Sequence, residues 1–374
     1  MKKSTFIILC LEGALLSFNV AAVAALVPSI ARDFALSQLF AGRIIWLYML
    51  PYGIAALVYG PLVRLIDAKK VELTCLSLFS LANLLAALAQ NINSLFFARF
   101  MMGLFGASVI PLGIILIARH VEDKSRGKFV GIFFGATFIA SLLGLALSGI
   151  VHWRLIFFIP AVLGFVLCVI IYFYLPSFKK DAVGFKINYL RAFKNRDFFL
   201  VFTYIFFISL IYHGVQQWLA VYFSSDLGFS QFLISSLITL TSLSGVFGET
   251  FGGILADTLG RVKTINLGIL MMALSIFCLA FKLPVLFIAL LMIIWGLGWT
   301  FNHAGLSTML TDLPGDFLHE AASLNSGIRF VSGGLGVAIG GVLIQKSFVL
   351  SFVCFGFSLV VLLLLDRKLL IAKV

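Results

Sequence analysis

Four ionisable side chains stand inside stretches that are otherwise almost wholly apolar: Glu12, Arg99, Glu249 and Arg329. An ionised group at the centre of a membrane-crossing helix costs roughly 2.5–3.5 kcal/mol on insertion scales, so each such residue points to a proton, an ion pair or a polar cargo. Glu12 lies about a third of the way along the first apolar run, where a carboxyl could take up and release a proton; otherwise it reaches back to the interface or is paired structurally. Arg99 carries five N–H donors that would satisfy helix-end carbonyls between packed helices, and a buried guanidinium without a role is expensive. Glu249 and Arg329 each lie about eight residues from the same end of their runs, which at a rise of ~1.5 Å per residue sets both near ~12 Å depth. Opposite charges at one depth predict a buried ion pair with a structural or gating role, with Asp257 able to compete for Arg329.

Neutral polar residues form a second group. His213, Gln216 and Gln217 stand at i, i+3 and i+4 and share one helix face. A later run supplies Trp295, Trp299, Asn302 and His303 at similar spacing, and the first run adds Asn19. Together they predict a pocket with aromatic walls and few polar anchors, the usual form of a small-molecule site. Singly, each Asn or Gln reads as interhelical glue worth about 0.6 kcal/mol. The five cysteines each sit alone in an apolar stretch with no C-x-x-C, so neither a disulfide framework nor a metal site is expected. The chain has no G-x-x-x-x-G-K-[ST], H-E-x-x-H or G-x-S-x-G, and its five histidines are scattered. No enzyme activity and no cofactor are expected.

These residues need elements to position them. Of the 374 residues, 62% are hydrophobic and 11% charged, against about 45–50% and 25% in soluble domains. Surface area cannot shrink far enough to hide so much Phe, Leu and Ile from water, so the solvent for most of the chain is lipid. Apolar runs long enough to cross the hydrocarbon core occupy 5–30, 42–63, 71–89, 94–118, 128–151, 154–175, 198–223, 232–256, 262–281, 285–309, 321–345 and 347–365, here called spans 1 to 12. Runs of this length are helices, which satisfy their own backbone hydrogen bonds in lipid. The first resembles a signal peptide, but Glu12 interrupts it and it is long enough to span, so it reads as uncleaved. Between spans 6 and 7, six basic residues and the pattern Phe185-Lys186-Ile187-Asn188-Tyr189-Leu190-Arg191 suggest a short amphipathic surface helix. With the N-terminus inside, about 20 of the 27 basic residues face the cytoplasm, and both termini are expected there. The net charge of +12 is then a topology signal meeting anionic headgroups rather than nucleic acid.

The two halves repeat. Asp33-Phe34-Ala35-Leu36-Ser37-Gln38 recurs as Asp226-Leu227-Gly228-Phe229-Ser230-Gln231, 193 positions later, and Gly60 matches Gly253 at the same offset. Gly144-Leu145-Ala146-Leu147-Ser148-Gly149 matches Gly336-Val337-Ala338-Ile339-Gly340-Gly341 at 192. Three ordered matches at near-constant spacing indicate a duplicated six-helix unit, the repeat architecture of alternating-access carriers. The expected fold is an all-α membrane protein of twelve transmembrane helices in two pseudo-symmetric six-helix bundles: residues 1–176, a cytoplasmic linker 177–197, and residues 198–374.

The stretch Gly253-Ile254-Leu255-Ala256-Asp257-Thr258-Leu259-Gly260-Arg261-Val262-Lys263 resembles the cytoplasmic signature G-x-L-A-D-x-x-G-R-x-[RK] of the major facilitator superfamily. Arg99-Phe100-Met101-Met102-Gly103-Leu104-Phe105-Gly106-Ala107 is similar to the span 4 motif R-x-x-x-G-x-x-x-A of its proton-driven members. Gly131, Gly144, Ser148 and Gly149 stand where its drug:proton antiporters place small residues in span 5. Two departures are visible: Arg64 and Asp67 replace the Asp and Gly of the signature in the first half, and Gly144-Leu145 stands where the antiporters carry Gly-Pro. The resemblance implies a proton-coupled secondary transporter of a small organic molecule, exporting by antiport; import with protons, or uniport, is the alternative on the same fold. It implies proton coupling through Glu12 and Arg99, and the central cavity of such a carrier is where Asn19, His213, Gln216, Gln217, Trp299 and Asn302 are expected from their spacing. Gating falls to Gly253, Asp257, Gly260 and Arg261, with Glu249 and Arg329. The partners are a small-molecule substrate, protons and membrane lipids, for a monomer in a prokaryotic inner membrane.

Overall fold

A computed structural model describes residues 3–177, 189–310 and 318–370, and every regular element among them is a helix. Among the described residues eleven helices are long and apolar enough to cross a membrane, and Phe348–Leu364 is a shorter apolar twelfth. Span 1 runs Lys3–Val20 and continues as Ala22–Asp33; span 2 is Gln38–Ala41 followed by Arg43–Leu65; span 3 is Ala68–Ala87. Span 4 is Ile92–Gly106 with Val109–His120, span 5 is Asp123–Ser148 and span 6 is Trp153–Tyr174. Span 7 is Arg196–Gln216 with Leu219–Ser225, and spans 8 to 12 are Gln231–Thr258, Arg261–Leu279, Val285–Leu310, Leu318–Ile344 and Phe348–Leu364.

The chain divides by its internal contacts into two compact units, Met1–Lys186 and Ile187–Val374. In the first, span 1 packs on spans 5 and 6, span 3 on spans 4 and 6, and span 2 on span 4. In the second, span 7 packs on spans 11 and 12, span 9 on spans 10 and 12, and span 8 on span 10. Every principal pairing of one unit thus has its counterpart six helices later. Of the expected surface helix between them, Tyr189–Lys194 is helical, and 178–188 lie outside the described residues.

The repeat extends to backbone detail. Ser37 and Ser230 each cap the helix that follows, their hydroxyls accepting from the Phe40 and Leu233 N–H groups at 3.2 and 3.4 Å. Two residues earlier, Ala35 and Gly228 both hold left-handed backbone, with φ of 51° and 65°. Four close approaches recur in the same way. A Cβ on Gly103 would land on the Tyr48 carbonyl oxygen, and one on Gly296 on that of Thr241, each residue 193 positions beyond its counterpart. A Cβ on Gly144 would land on the Phe18 carbonyl oxygen, and one on Gly336 on that of Leu210, both 192 positions on. Glycine is required here because lipid supplies no hydrophobic force between helices, so backbones must approach until dispersion and weak polar contacts hold them.

Candidate functional site

In the first unit Glu12 is buried, and its electrostatic neighbour is Glu72 of span 3. Arg99 is buried between spans 4 and 2, where its Nε donates to the Ile44 carbonyl at 3.1 Å and its guanidinium lies 4.3 Å from the Tyr48 ring centroid. Glu12 and Arg99 are not brought into contact; their surroundings are separate. Asn19 is fully buried and donates to Asn83 Oδ1 at 2.6 Å, while Asn83 donates to the Phe79 carbonyl at 2.9 Å. Asn19 thus ties spans 1 and 3 through its amide nitrogen, while its Oδ1 is buried without a hydrogen-bond partner.

The second unit assembles the aromatic cluster. Tyr212 stacks on Trp299 with centroids 3.8 Å apart and on Trp295 at 5.3 Å, its ring serving both tryptophans. Trp295 Nε1 donates to Gln216 Oε1 at 2.6 Å, and Gln217 Nε2 lies 3.3 Å from His213 Nδ1. His213, Gln216, Gln217, Trp299 and His303 are all partly exposed. They form one polar and aromatic face across spans 7 and 10. Asn302 does not join it: fully buried, it donates to the Tyr204 hydroxyl at 3.1 Å. One helical turn separates the two outcomes, since Trp299 and His303 stand on the open side and Asn302 turns into the packed one.

The expected Glu249–Arg329 ion pair is not formed. Glu249 Oε1 instead lies 2.8 Å from His303 Nδ1, a half-exposed contact with ion-pair spacing but without in-line hydrogen-bond geometry. Arg329 is buried; its Nε donates to Asn325 Oδ1 at 2.8 Å, its guanidinium carbon sits 5.7 Å from the Trp299 centroid, and both terminal nitrogens lack a hydrogen-bond partner. Glu249 still contributes to the field at Arg329. Helix rise fixes position along each helix but leaves its rotation open, and His303 stands closer to Glu249.

In the signature stretch 253–263, Gly260 has φ +95°, a left-handed conformation suited to glycine, and stands at the N-cap of span 9 directly after span 8. Asp257 is exposed, Arg261 is half-buried, and a Cβ at Gly253 would meet nothing within 4 Å, so its own unit places no packing demand on that glycine. The five cysteines are free. A cavity of about 430 Å³ in the first unit, bounded by Leu11 and Phe18 of span 1, Leu143 of span 5 and Leu163, Val166 and Ile170 of span 6, is lined by apolar side chains and offers no anchor for a polar group.

Sequence reasoning passes over two residues of these sites. Tyr212 was legible as an aromatic beside His213 in a run facing other aromatics. Glu72 stands one residue inside an apolar run just after Lys69 and Lys70, a position that reads as interfacial, yet it is buried.

Two pseudo-symmetric six-helix units with ionisable groups buried inside their helices define a membrane transporter fold. The family model of the Major Facilitator Superfamily matches residues 9–341, and the chain belongs to that family. It is 22% identical over 333 residues to the uncharacterized MFS-type transporter YbcL of Bacillus subtilis, covering 87% of this chain and 84% of that protein. It is 21% identical over 379 residues to multidrug resistance protein 2 of the same organism, covering 96% and 94%. Among solved structures, the D-xylose–proton symporter superposes with a TM-score of 0.77 over 98% of both chains at 15% identity. The chain is an integral membrane protein of this family with a small-molecule substrate.

Proposed function

We propose that the protein is a proton-coupled secondary transporter that moves a small organic molecule by alternating access, in the efflux direction by antiport. The observation that carries this reading is Glu12, a carboxyl buried in a membrane-spanning helix with no cationic partner among the described residues. Such a group is costly unless it is protonated or takes part in function. Arg99, buried in span 4, is the second coupling residue. The open face of His213, Gln216, Gln217 and Trp299, extended by Tyr212, is the substrate surface; Asn19 and Asn302 serve it from behind as packing ties.

Gating rests on an exchange of partners. Glu249 contacts His303 while the outer nitrogens of Arg329 have none, so a change of state that moves Glu249 from His303 to Arg329 trades one polar contact for another. Gly253, Asp257, Gly260 and Arg261 bias the same equilibrium from the cytoplasmic ends of spans 8 and 9. Residues 177–197 link the two six-helix units, both termini are cytoplasmic, and the carrier works as a monomer in a prokaryotic inner membrane. The export direction draws support from the multidrug-resistance relative. A proton-coupled importer or a uniporter is the second reading, favoured by the likeness of fold to a sugar–proton symporter.

The test has two stages. A thermal-shift screen of the purified protein against metabolites and drugs, at two pH values, identifies a substrate. Transport in proteoliposomes under pH gradients of both signs then separates the mechanisms. Antiport predicts accumulation toward the acidic side and symport toward the basic side, whereas a uniporter ignores the gradient and would end the coupling hypothesis.

A further inference from the structure

We propose that Glu72 is a second proton-binding carboxyl that works together with Glu12, making the coupling site of the first unit a carboxyl pair. The inference rests on the reading of Glu12 as a proton carrier and extends it to a residue in a different helix.

Glu72 is the fifth residue of the Ala68–Ala87 helix. Its position after two lysines suggests a side chain that turns toward the interface and pairs there. It does neither. Lys69 Nζ is engaged by the Tyr172 carbonyl at 2.9 Å, and Lys70 is exposed. Glu72 itself is only 3% exposed, and both of its carboxyl oxygens are enclosed without a hydrogen-bond partner. An ionised carboxylate has about four acceptor sites to satisfy, and a buried one with none satisfied is among the least favourable states a protein can hold. A proton removes that charge without needing room. A metal or alkali cation would need several oxygen ligands and space to reach them, and enclosed carboxyl oxygens provide neither. The ligand that fits is therefore the proton.

The surroundings place Glu72 in one electrostatic unit with Glu12. The two carboxyls act on each other, and both act on the Cys75 thiol, one helical turn beyond Glu72 on span 3. The other titratable groups facing the pair are Asp67 at the start of span 3, Tyr59 of span 2, whose hydroxyl donates nothing to the pair but accepts from Cys75 Sγ at 3.4 Å, and Cys168 of span 6. Among the described residues, none of these groups is a cation. Two carboxyls that interact in a dry site bind protons as a unit, the state of one setting the energy of the other, and titrate in coupled steps. A transporter with such a pair can hold one proton in place while exchanging the second.

The experiment needs no substrate. pH-difference infrared spectra of the purified protein in lipid nanodiscs read the carbonyl band of protonated carboxyls. The wild type is expected to lose two components in coupled steps, Glu72→Gln to lose one of them and leave a single-step titration, and Glu12→Gln to do the converse. Glu72→Asp, which keeps a carboxyl and guards against a variant that fails to fold, should shift the Glu72 component without removing it. An unchanged spectrum in Glu72→Gln alongside a lost component in Glu12→Gln would overturn this inference and leave the proton role of Glu12 standing. Spectra unchanged in both variants would overturn both. A band that responds to sodium in place of choline at fixed pH would also overturn it, since the site would then take a metal cation.

Discussion

Ala35 and Gly228 occupy equivalent turns of the two repeats, one with a Cβ and one without, and their exchange gives a two-sided test of the duplication. A left-handed residue that carries a Cβ is disfavoured by about 1–2 kcal/mol. Glycine's freer unfolded chain takes back about 0.4–1 kcal/mol where the native conformation suits both residues. With φ of 51° at Ala35, the substitution Ala35→Gly should therefore stabilise its unit by about 0.5–1 kcal/mol, since no hydrogen bond or packed side chain beyond a methyl group is lost. Gly228→Ala, at φ 65° with nothing within 4 Å of the added Cβ, should destabilise by a similar amount through the backbone alone. The two sites lie in different units, so the double variant should fall close to the wild type. Thermal unfolding of the purified protein, followed by tryptophan fluorescence, should shift by about 1–4 °C in opposite directions for the two single variants. Shifts of the same sign, or a Gly228→Ala variant as stable as the wild type, would refute the claim that both turns solve the same backbone problem.

Three further outcomes follow from the geometry. Glu12→Gln keeps the shape of a buried side chain while removing its ability to ionise, so gradient-driven accumulation in proteoliposomes should vanish while substrate counterflow persists; undiminished accumulation would remove Glu12 from the coupling. Glu249→Gln breaks a half-exposed contact with His303 worth less than about 1 kcal/mol, so unfolding should barely change. Its transport rate should nevertheless fall, because the partner exchanged with Arg329 has lost its charge, and an unaltered rate would discard the gating role. Gly336→Ala drives a methyl into the Leu210 carbonyl and should cost about 1–3 kcal/mol in unfolding measurements, while Gly131→Ala, which meets nothing within 4 Å, should be close to neutral.

The sequence alone determined the solvent of this chain, its number of crossings and its duplication. These properties are sums along the chain. Twenty apolar residues in a row make a span wherever they occur, and a motif repeated 193 positions later needs no third dimension to be seen. Tertiary structure decided which side of each helix is open. Asn19 and Asn302 read as cavity residues from their company, but Asn83 and Tyr204 claim them, and those partners come from distant segments. Glu249 found His303 rather than Arg329, a choice set by helix rotation rather than depth. Glu72 reads as an interfacial residue because its neighbours in sequence are lysines, whereas the fold buries it with both carboxyl oxygens enclosed. A side chain's energy in a membrane depends on whether the atoms around it can donate, accept or neutralise. Those atoms are supplied by helices that meet only when the bundle closes.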